Sequence, residues 1–183
     1  MNAPESHVAP AIRTLIRLVH KQREAFARER YPTLEVRRDR LQRLHKLVVE
    51  NEEAVVAAIC ADFGARSAHE TLLGEIVVTA NGVRDALRDV ARWMKPRRVP
   101  TPLTMLPGWG EVIPQPLGVV GIISPWNYPF QLAMVPVTGA LAAGNRVLLK
   151  PSEHTPRTSA LMARLVAKHF AEDEFAVIAG DAE

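Results

Sequence analysis

The chain has 183 residues, of which 48% are hydrophobic and 23% are charged, and its formal net charge at pH 7 is +3. This composition is typical of a globular protein, and it excludes a disordered chain or a membrane protein, because no stretch approaches the ~20 apolar residues of a membrane-spanning helix. The single cysteine, Cys60, excludes an intrachain disulfide, and the polar amino terminus has no signal-peptide pattern, so we predict a cytoplasmic location.

The first half of the chain has the spacing of amphipathic helices. Apolar residues recur at helical intervals over residues 12–26, 41–59 and 72–94. Residues that end helices follow these three stripes in turn: Pro32, Gly64 as a C-terminal cap, and Pro96. We therefore predict an amino-terminal helical segment over residues 1–95, built from three helices.

Two short basic clusters lie in or near these helices. They are Arg37-Arg38 with Arg40, and residues 95–98. No aromatic side chains interleave with them to stack on bases, so we interpret both as solvated faces and expect no nucleic-acid partner.

The second half of the chain changes character twice. Residues 96–116 hold six prolines and predict an extended connection, with one short strand at 111–113. Thereafter apolar strands at 119–123, 147–149 and 175–178 alternate with helices at 129–143 and 156–170. This order predicts an α/β fold with a parallel sheet, and the uninterrupted apolar runs at 119–123 and 147–149 predict strands buried on both faces.

The candidate chemistry lies where two of these strands end, since ligands of such sheets bind beyond the carboxyl ends of the strands. Asn127 follows the first strand in a proline-framed loop and offers an amide donor that could stabilise an oxyanion. Its alternative role is to cap the following helix.

Lys150 and Glu153 follow the second strand. A lysine at this place suits a phosphate or the hydroxyls of a ribose, and a carboxylate suits a ribose diol. The alternative is a surface ion pair of little energetic value. No glycine-rich phosphate loop is visible.

The remaining reactive side chains carry less information. Cys60 lies beside Ala58 and Ile59, which favours a small buried hydrophobic residue over a reactive thiol. The six histidines have no metal-ligand spacing, so we predict no metal site.

Two segments resemble the aldehyde dehydrogenase superfamily. They are PLGVVGIISPWNYP at 116–129 and GALAAGNRVLLKPSE at 139–153. Upstream, ADFG at 61–64, Glu75-Ile76 and WMKP at 93–96 resemble the class 3 branch, and within it the chain is most similar to coniferyl aldehyde dehydrogenases of bacteria. The resemblance covers all but the first ten or so residues. It implies that residues 117–183 are the first part of an NAD(P)-binding, doubly wound, Rossmann-like domain, and that the fold is incomplete.

The resemblance also implies roles for individual residues. Asn127 matches the asparagine whose amide holds the oxyanion, and Tyr128 resembles a wall of the aldehyde tunnel. Lys150 and Glu153 match residues that contact the adenosine ribose; a glutamate there favours NAD, although the class 3 branch often accepts NADP. The wall along which the cofactor lies is matched by Ser124, Pro125 and Trp126.

The chain departs from the family in its length. Family members are more than twice as long, and the cofactor loop, the glutamate base, the cysteine nucleophile and the oligomerisation segment of the family have no counterpart here. Cys60 does not match the nucleophile. The resemblance therefore implies the amino-terminal part of an NAD(P)-dependent enzyme that oxidises a small-molecule aldehyde and forms a homo-oligomer when complete. The alternatives are a truncated product that binds nucleotide or a partner subunit, and a basic nucleic-acid binder suggested only by the pI.

Overall fold

The computed structural model describes residues 10–180, and the side chains from residue 12 onward. Seven α-helices lie in this range: α1 (Pro10–Arg28), α2 (Leu34–Val49), α3 (Glu52–Phe63), α4 (Ala68–Thr71), α5 (Val78–Trp93), α6 (Gln131–Ala142) and α7 (Pro156–His169). A π-helical segment, Leu72–Val77, joins α4 to α5. None of these helices is long and apolar enough to cross a lipid bilayer.

The predicted second helix is wrong, because the chain folds there as two helices, α2 and α3. The side-chain amide of Asn51 donates to the carbonyl of Leu47 at 2.8 Å, and Asn51 itself has non-helical dihedral angles at the start of α3. A side chain that competes for a backbone carbonyl favours a helix end over a helix interior. The predicted cap at Gly64 is confirmed: its φ is +78° and its N–H donates to the carbonyl of Cys60.

The basic cluster in α2 is also not a solvated face. Arg37 and Arg40 are buried, and only Arg38 is exposed. Arg37 donates to the carbonyls of Pro32 and Ala142, and Arg40 pairs with Glu29 and Glu174. Their long apolar stems and fork of donors make arginines suited to this kind of cross-link between segments.

Within the proline-rich connection, β1 (Arg97–Val99) and β2 (Gly110–Val112) pair antiparallel, with a short 3₁₀ turn at Leu103–Met105 between them. The predicted short strand therefore exists, shifted by one residue, and its partner strand was not predicted. After it come β3 (Val119–Ile123), β4 (Arg146–Lys150) and β5 (Phe175–Val177), which form a parallel sheet in the order β3-β4-β5. The predicted parallel α/β architecture is thereby confirmed.

The two faces of this sheet pack on different helices. Val147, Leu149 and Phe175 point into the main core, which extends through α2, α3, α5, α6 and α7. Leu148 and Ala176 point to the opposite face and pack with Leu18 of α1. This alternation is the period of two expected of a strand covered on both sides.

Burial on both faces was predicted for β3 as well, and this is wrong. β4 is buried, but Ile123 in β3 is 82% exposed. In the described sheet β3 has only one neighbouring strand, and α1 covers its face only in part. A groove of about 700 Å³ remains between α1 and the sheet, lined mainly by apolar side chains.

Candidate active site

The ends of β3 and β4 lie side by side at the carboxyl edge of the sheet. Ile123 is the register partner of Lys150, and the N–H of Ser124 donates to the carbonyl of Lys150 at 3.1 Å. The sequence prediction that Asn127 and Lys150 follow adjacent parallel strands is confirmed. The loops that carry the predicted site residues therefore start from one point of the fold.

Asn127 is exposed, and its side chain forms no hydrogen bond with any residue in the described range of the chain. Its backbone is held instead, because the carbonyl of Asn127 accepts a 2.8 Å hydrogen bond from Nη1 of Arg66. The alternative that Asn127 caps α6 is wrong, since a different residue performs that role. The side-chain amide of Asn127 is thus a donor without a partner among the described residues, on a backbone that Arg66 holds.

The residue that caps α6 is Glu75, from the π-helical segment. Its side chain is completely buried, and Oε2 accepts hydrogen bonds from the N–H groups of Phe130 and Gln131 at 2.8 and 3.1 Å. Oε1 lies 3.4 Å from Nη1 of Arg66. Burial raises the pKa of Glu75, and the two N–H donors and the Arg66 cation oppose that shift.

Arg66 and Gly74 determine where the ring of Tyr128 lies. The guanidinium of Arg66, only 7% exposed, sits 4.3 Å from the centroid of Tyr128 and 5.1 Å from that of Phe63. The Tyr128 hydroxyl donates to Glu70 at 3.4 Å. A Cβ atom added at Gly74 would lie 3.2 Å from Cε1 of Tyr128, so an alanine there would require the ring to move by a few tenths of an ångström.

Lys150 and Glu153 form an ion pair, with Nζ 2.7 Å from Oε2. The hydrogen bond from Lys150 lowers the pKa of Glu153, so this carboxylate is charged at neutral pH. Nearby, the hydroxyl oxygen of Ser124 is buried and has no partner within the described residues. The indole of Trp126 is half-exposed and tilted against Phe63, with the ring centroids 6.3 Å apart.

The N-termini of α6 and α7, which often bind phosphates in such folds, are already occupied by carboxylates. Glu75 occupies the first, and Asp62 of α3 accepts from both N–H groups and the hydroxyl at the start of α7, at 2.7–3.0 Å from Arg157 and Thr158. These N–H groups at the two helix starts are therefore already paired within the described chain.

The sequence analysis missed the roles of Asp62, Arg66, Gly74 and Glu75. One signal was available for two of them. Gly74 and Glu75 interrupt an otherwise apolar run from Leu72 to Val78, where neither a glycine nor a carboxylate suits a simple helix core. The predicted burial of Cys60 is only partly correct, since its side chain is half-buried in α3.

Comparison with known proteins gives a consistent result. Residues 12–183 match the aldehyde dehydrogenase family. The chain is 45% identical over 172 residues to a probable coniferyl aldehyde dehydrogenase of Pseudomonas aeruginosa, covering 94% of this chain and 36% of that protein. It is 46% identical over 164 residues to the coniferyl aldehyde dehydrogenase of a Pseudomonas species, covering 89% of this chain and 34% of that protein.

Among solved structures, the substrate-bound state of Staphylococcus aureus AldH superposes with a TM-score of 0.87 at 30% identity, over 91% of this chain and 36% of that one. The chain thus spans about a third of the length of the relatives that it matches, and it corresponds to their amino-terminal part.

Proposed function

Because this chain belongs to the aldehyde dehydrogenase family, we propose that it supplies the oxyanion donor and part of the cofactor site of an enzyme that oxidises an aldehyde to a carboxylic acid. In this proposal Asn127 stabilises the oxyanion and Tyr128 lines the aldehyde tunnel. The cofactor lies along Ser124, Pro125 and Trp126 and reaches Lys150 and Glu153.

The observation that carries the proposal is the state of Asn127. Its side-chain amide has no partner in the described chain, while its backbone carbonyl is fixed by Arg66. Because the backbone of Asn127 is held, the range of positions open to its amide is limited, and one donor that meets developing negative charge is worth about 3 kcal/mol. Attack on an aldehyde carbonyl places negative charge on its oxygen, and an amide N–H can hold that charge.

The residues at the end of β4 fit a nicotinamide dinucleotide. The Lys150 ammonium and the Glu153 carboxylate offer a donor and an acceptor to a ribose diol, and the buried hydroxyl of Ser124 lacks a partner in the described chain. When bound, the cofactor would supply the hydride acceptor. The half-exposed indole of Trp126 offers a flat apolar surface at the same edge.

Further parts of the proposal concern the complete enzyme. The similarity to two coniferyl aldehyde dehydrogenases supports an aromatic aldehyde as substrate. NAD or NADP as cofactor and a homo-oligomeric assembly follow from the family resemblance, and the cytoplasmic location predicted from the sequence remains part of the proposal. We also propose the division into a helical segment (1–95), a connection (96–116) and the first part of the cofactor domain (117–183).

A chimera tests the role of Asn127. In it, this chain replaces the corresponding amino-terminal part of the Pseudomonas coniferyl aldehyde dehydrogenase. Asn127→Ala should lower kcat on the order of 10²–10³-fold, since one oxyanion donor is lost. Gln131→Ala, which alters a neighbouring amide side chain, is the control and should leave kcat nearly unchanged. Steady-state kinetics in which Asn127→Ala loses less than about threefold in kcat would count against the oxyanion assignment.

A further inference from the structure

We infer that Arg66, Gly74 and Glu75 form a bracket of positioning residues that fixes the Asn127–Tyr128 loop, and that Gly74 thereby determines which aldehydes fit beside Tyr128. The inference rests on the proposed roles of Asn127 and Tyr128. None of the three residues in the bracket would touch the reacting atoms. They act through the loop, each by a different contact.

Glu75 fixes the far end of the loop. Its buried Oε2 accepts the N–H groups of Phe130 and Gln131, so the start of α6 is tied to the π-helical segment 55 residues earlier in the chain. A helix start has unsatisfied N–H groups that need acceptors, and the carboxylate also complements the positive end of the helix dipole. One buried side chain thus ties the start of α6 to the π-helical segment.

Arg66 fixes the near end of the loop. Its Nη1 donates to the carbonyl of Asn127 and lies 3.4 Å from Oε1 of Glu75, so the cation links the two ends. The face of the guanidinium contacts the Tyr128 ring. A lysine could supply the charge but not the fork and the flat face together.

Gly74 sets how deeply the Tyr128 ring lies. The ring edge lies 3.2 Å from the place that a Cβ atom at residue 74 would take, which is a tight contact, and the hydroxyl donates to Glu70. Gly74 lies inside the π-helical segment Leu72–Val77, and segments of this type are frequent at functional sites. Gly82 lies in the second turn of α5 and is a suitable control position, because a Cβ atom there would meet no atom within 4 Å.

The Glu75 contact is tested on the 183-residue chain by hydrogen exchange with mass spectrometry. Glu75→Ala should accelerate exchange in the peptide that contains Phe130 and Gln131, while peptides from α2 keep the protection of the parent. Glu75→Gln keeps an acceptor oxygen but no charge, so its exchange rate should lie between those of the parent and of Glu75→Ala. This variant replaces Glu75→Ala in the test if the alanine variant does not fold. Exchange at Phe130 and Gln131 equal to that of the parent in both variants would overturn the bracket.

The Gly74 contact is tested in the chimera. Gly74→Ala should raise KM for coniferyl aldehyde about tenfold and leave kcat for acetaldehyde within twofold, since one misplaced methyl group in a binding pocket is worth about tenfold or more. Gly82→Ala should change neither constant. The inference would be overturned if Gly74→Ala changed KM and kcat equally for coniferyl aldehyde and acetaldehyde. It would also be overturned if neither KM nor kcat changed for either aldehyde.

The two proposals fail in different ways. If Asn127→Ala keeps the parental kcat while Glu75→Ala accelerates exchange at Phe130, the oxyanion role is lost and the contact that fixes the loop stands. If Asn127→Ala is inactive while Glu75→Ala leaves hydrogen exchange unchanged and Gly74→Ala leaves KM unchanged, the proposed function stands and the bracket is overturned.

Discussion

At the scale of the single residue, the Lys150–Glu153 pair shows how one geometry serves two interpretations. The pair is partly exposed, and an exposed ion pair of this type adds little to stability. The same carboxylate, held in its charged form by Lys150, is a good acceptor for a ribose 2′-hydroxyl and a poor neighbour for a 2′-phosphate. A comparison of the kinetics with NAD and with NADP distinguishes the ion-pair interpretation from the ribose-binding interpretation.

We therefore expect Glu153→Ser in the chimera to increase the ratio of kcat/KM for NADP to that for NAD. The substitution removes the charge that repels a 2′-phosphate and keeps a hydroxyl that can bind a ribose. Glu172→Ser is a suitable control, because Glu172 pairs with Arg17 and Lys21 on α1 and lies outside the candidate site. An unchanged cofactor ratio in Glu153→Ser would show that this carboxylate does not face the ribose.

At the scale of the element, both helices that follow the sheet strands are capped by carboxylates from distant parts of the chain. Glu75 caps α6, and Asp62 caps α7 from a position 96 residues away from Thr158. Neither α6 nor α7 has a side-chain cap from its own preceding residue. The amino-terminal helices therefore do more than cover the sheet, since they complete the ends of the two crossover helices.

Removing the second of these caps should destabilise the protein measurably. Asp62→Ala leaves the N–H groups of Arg157 and Thr158 without their acceptor, and the loss of a helix cap costs about 0.5–2 kcal/mol. Asp85→Ala, which removes an exposed pair with Arg88 in α5, should lower the free energy of unfolding distinctly less than Asp62→Ala does. Urea unfolding of dilute protein measures both changes. Equal destabilisation by the two substitutions would contradict the capping role.

The same contacts explain which elements could be predicted from the sequence. The alternation of β-branched runs with helical stripes depends on nearby residues, and it correctly predicted the parallel strands β3, β4 and β5 and the helices between them. The break at Asn51 depends on a single side-chain hydrogen bond to Leu47, which the apolar spacing of α2 and α3 does not reveal.

Contacts between distant segments account for most of what the sequence did not reveal. Arg40 looks like part of a solvated basic cluster until Glu174 is brought against it. The strand ends could be identified because proline-framed loops hold Asn127 and Lys150. The contacts of Arg66 and Glu75 could not be predicted, because their partners lie about 55 to 61 residues away and only the tertiary fold brings them together.

At the scale of the whole molecule, the two faces of the sheet are covered unequally. The face toward α6 and α7 belongs to a core that extends through most of the helices, whereas the other described face meets only α1. On that second side, Leu117 is 90% exposed and Ile123 is 82% exposed, and both line the groove of about 700 Å³ beside α1. Apolar surface of this kind on a soluble protein usually marks a place of association.

The uncovered face leads us to expect that the isolated 183-residue chain self-associates. β3 also has a free edge within the described sheet, and exposed strand edges template further pairing. Light scattering on the purified chain measures the association. Ile123→Lys should reduce it, since the substitution places a charge on the exposed strand, and Val112→Lys on the separate β1–β2 ribbon is the control. A monodisperse monomer at all concentrations would contradict this expectation.

We also expect the isolated chain to lack aldehyde dehydrogenase activity, for a chemical reason. Hydride can leave the aldehyde carbon only after a nucleophile has added to it, and family members use a cysteine thiolate for this step. The only cysteine here is Cys60, half-buried in α3, whereas Asn127 follows β3 at the sheet edge. Cys60 does not match the nucleophile of the family, so we expect no thiolate of this chain to add to an aldehyde carbonyl. The measurement is NAD reduction with an aromatic aldehyde, with the Cys60→Ser variant as the control for this thiol. Turnover above the enzyme-free rate that persists in that variant would show that another group of this chain performs the addition.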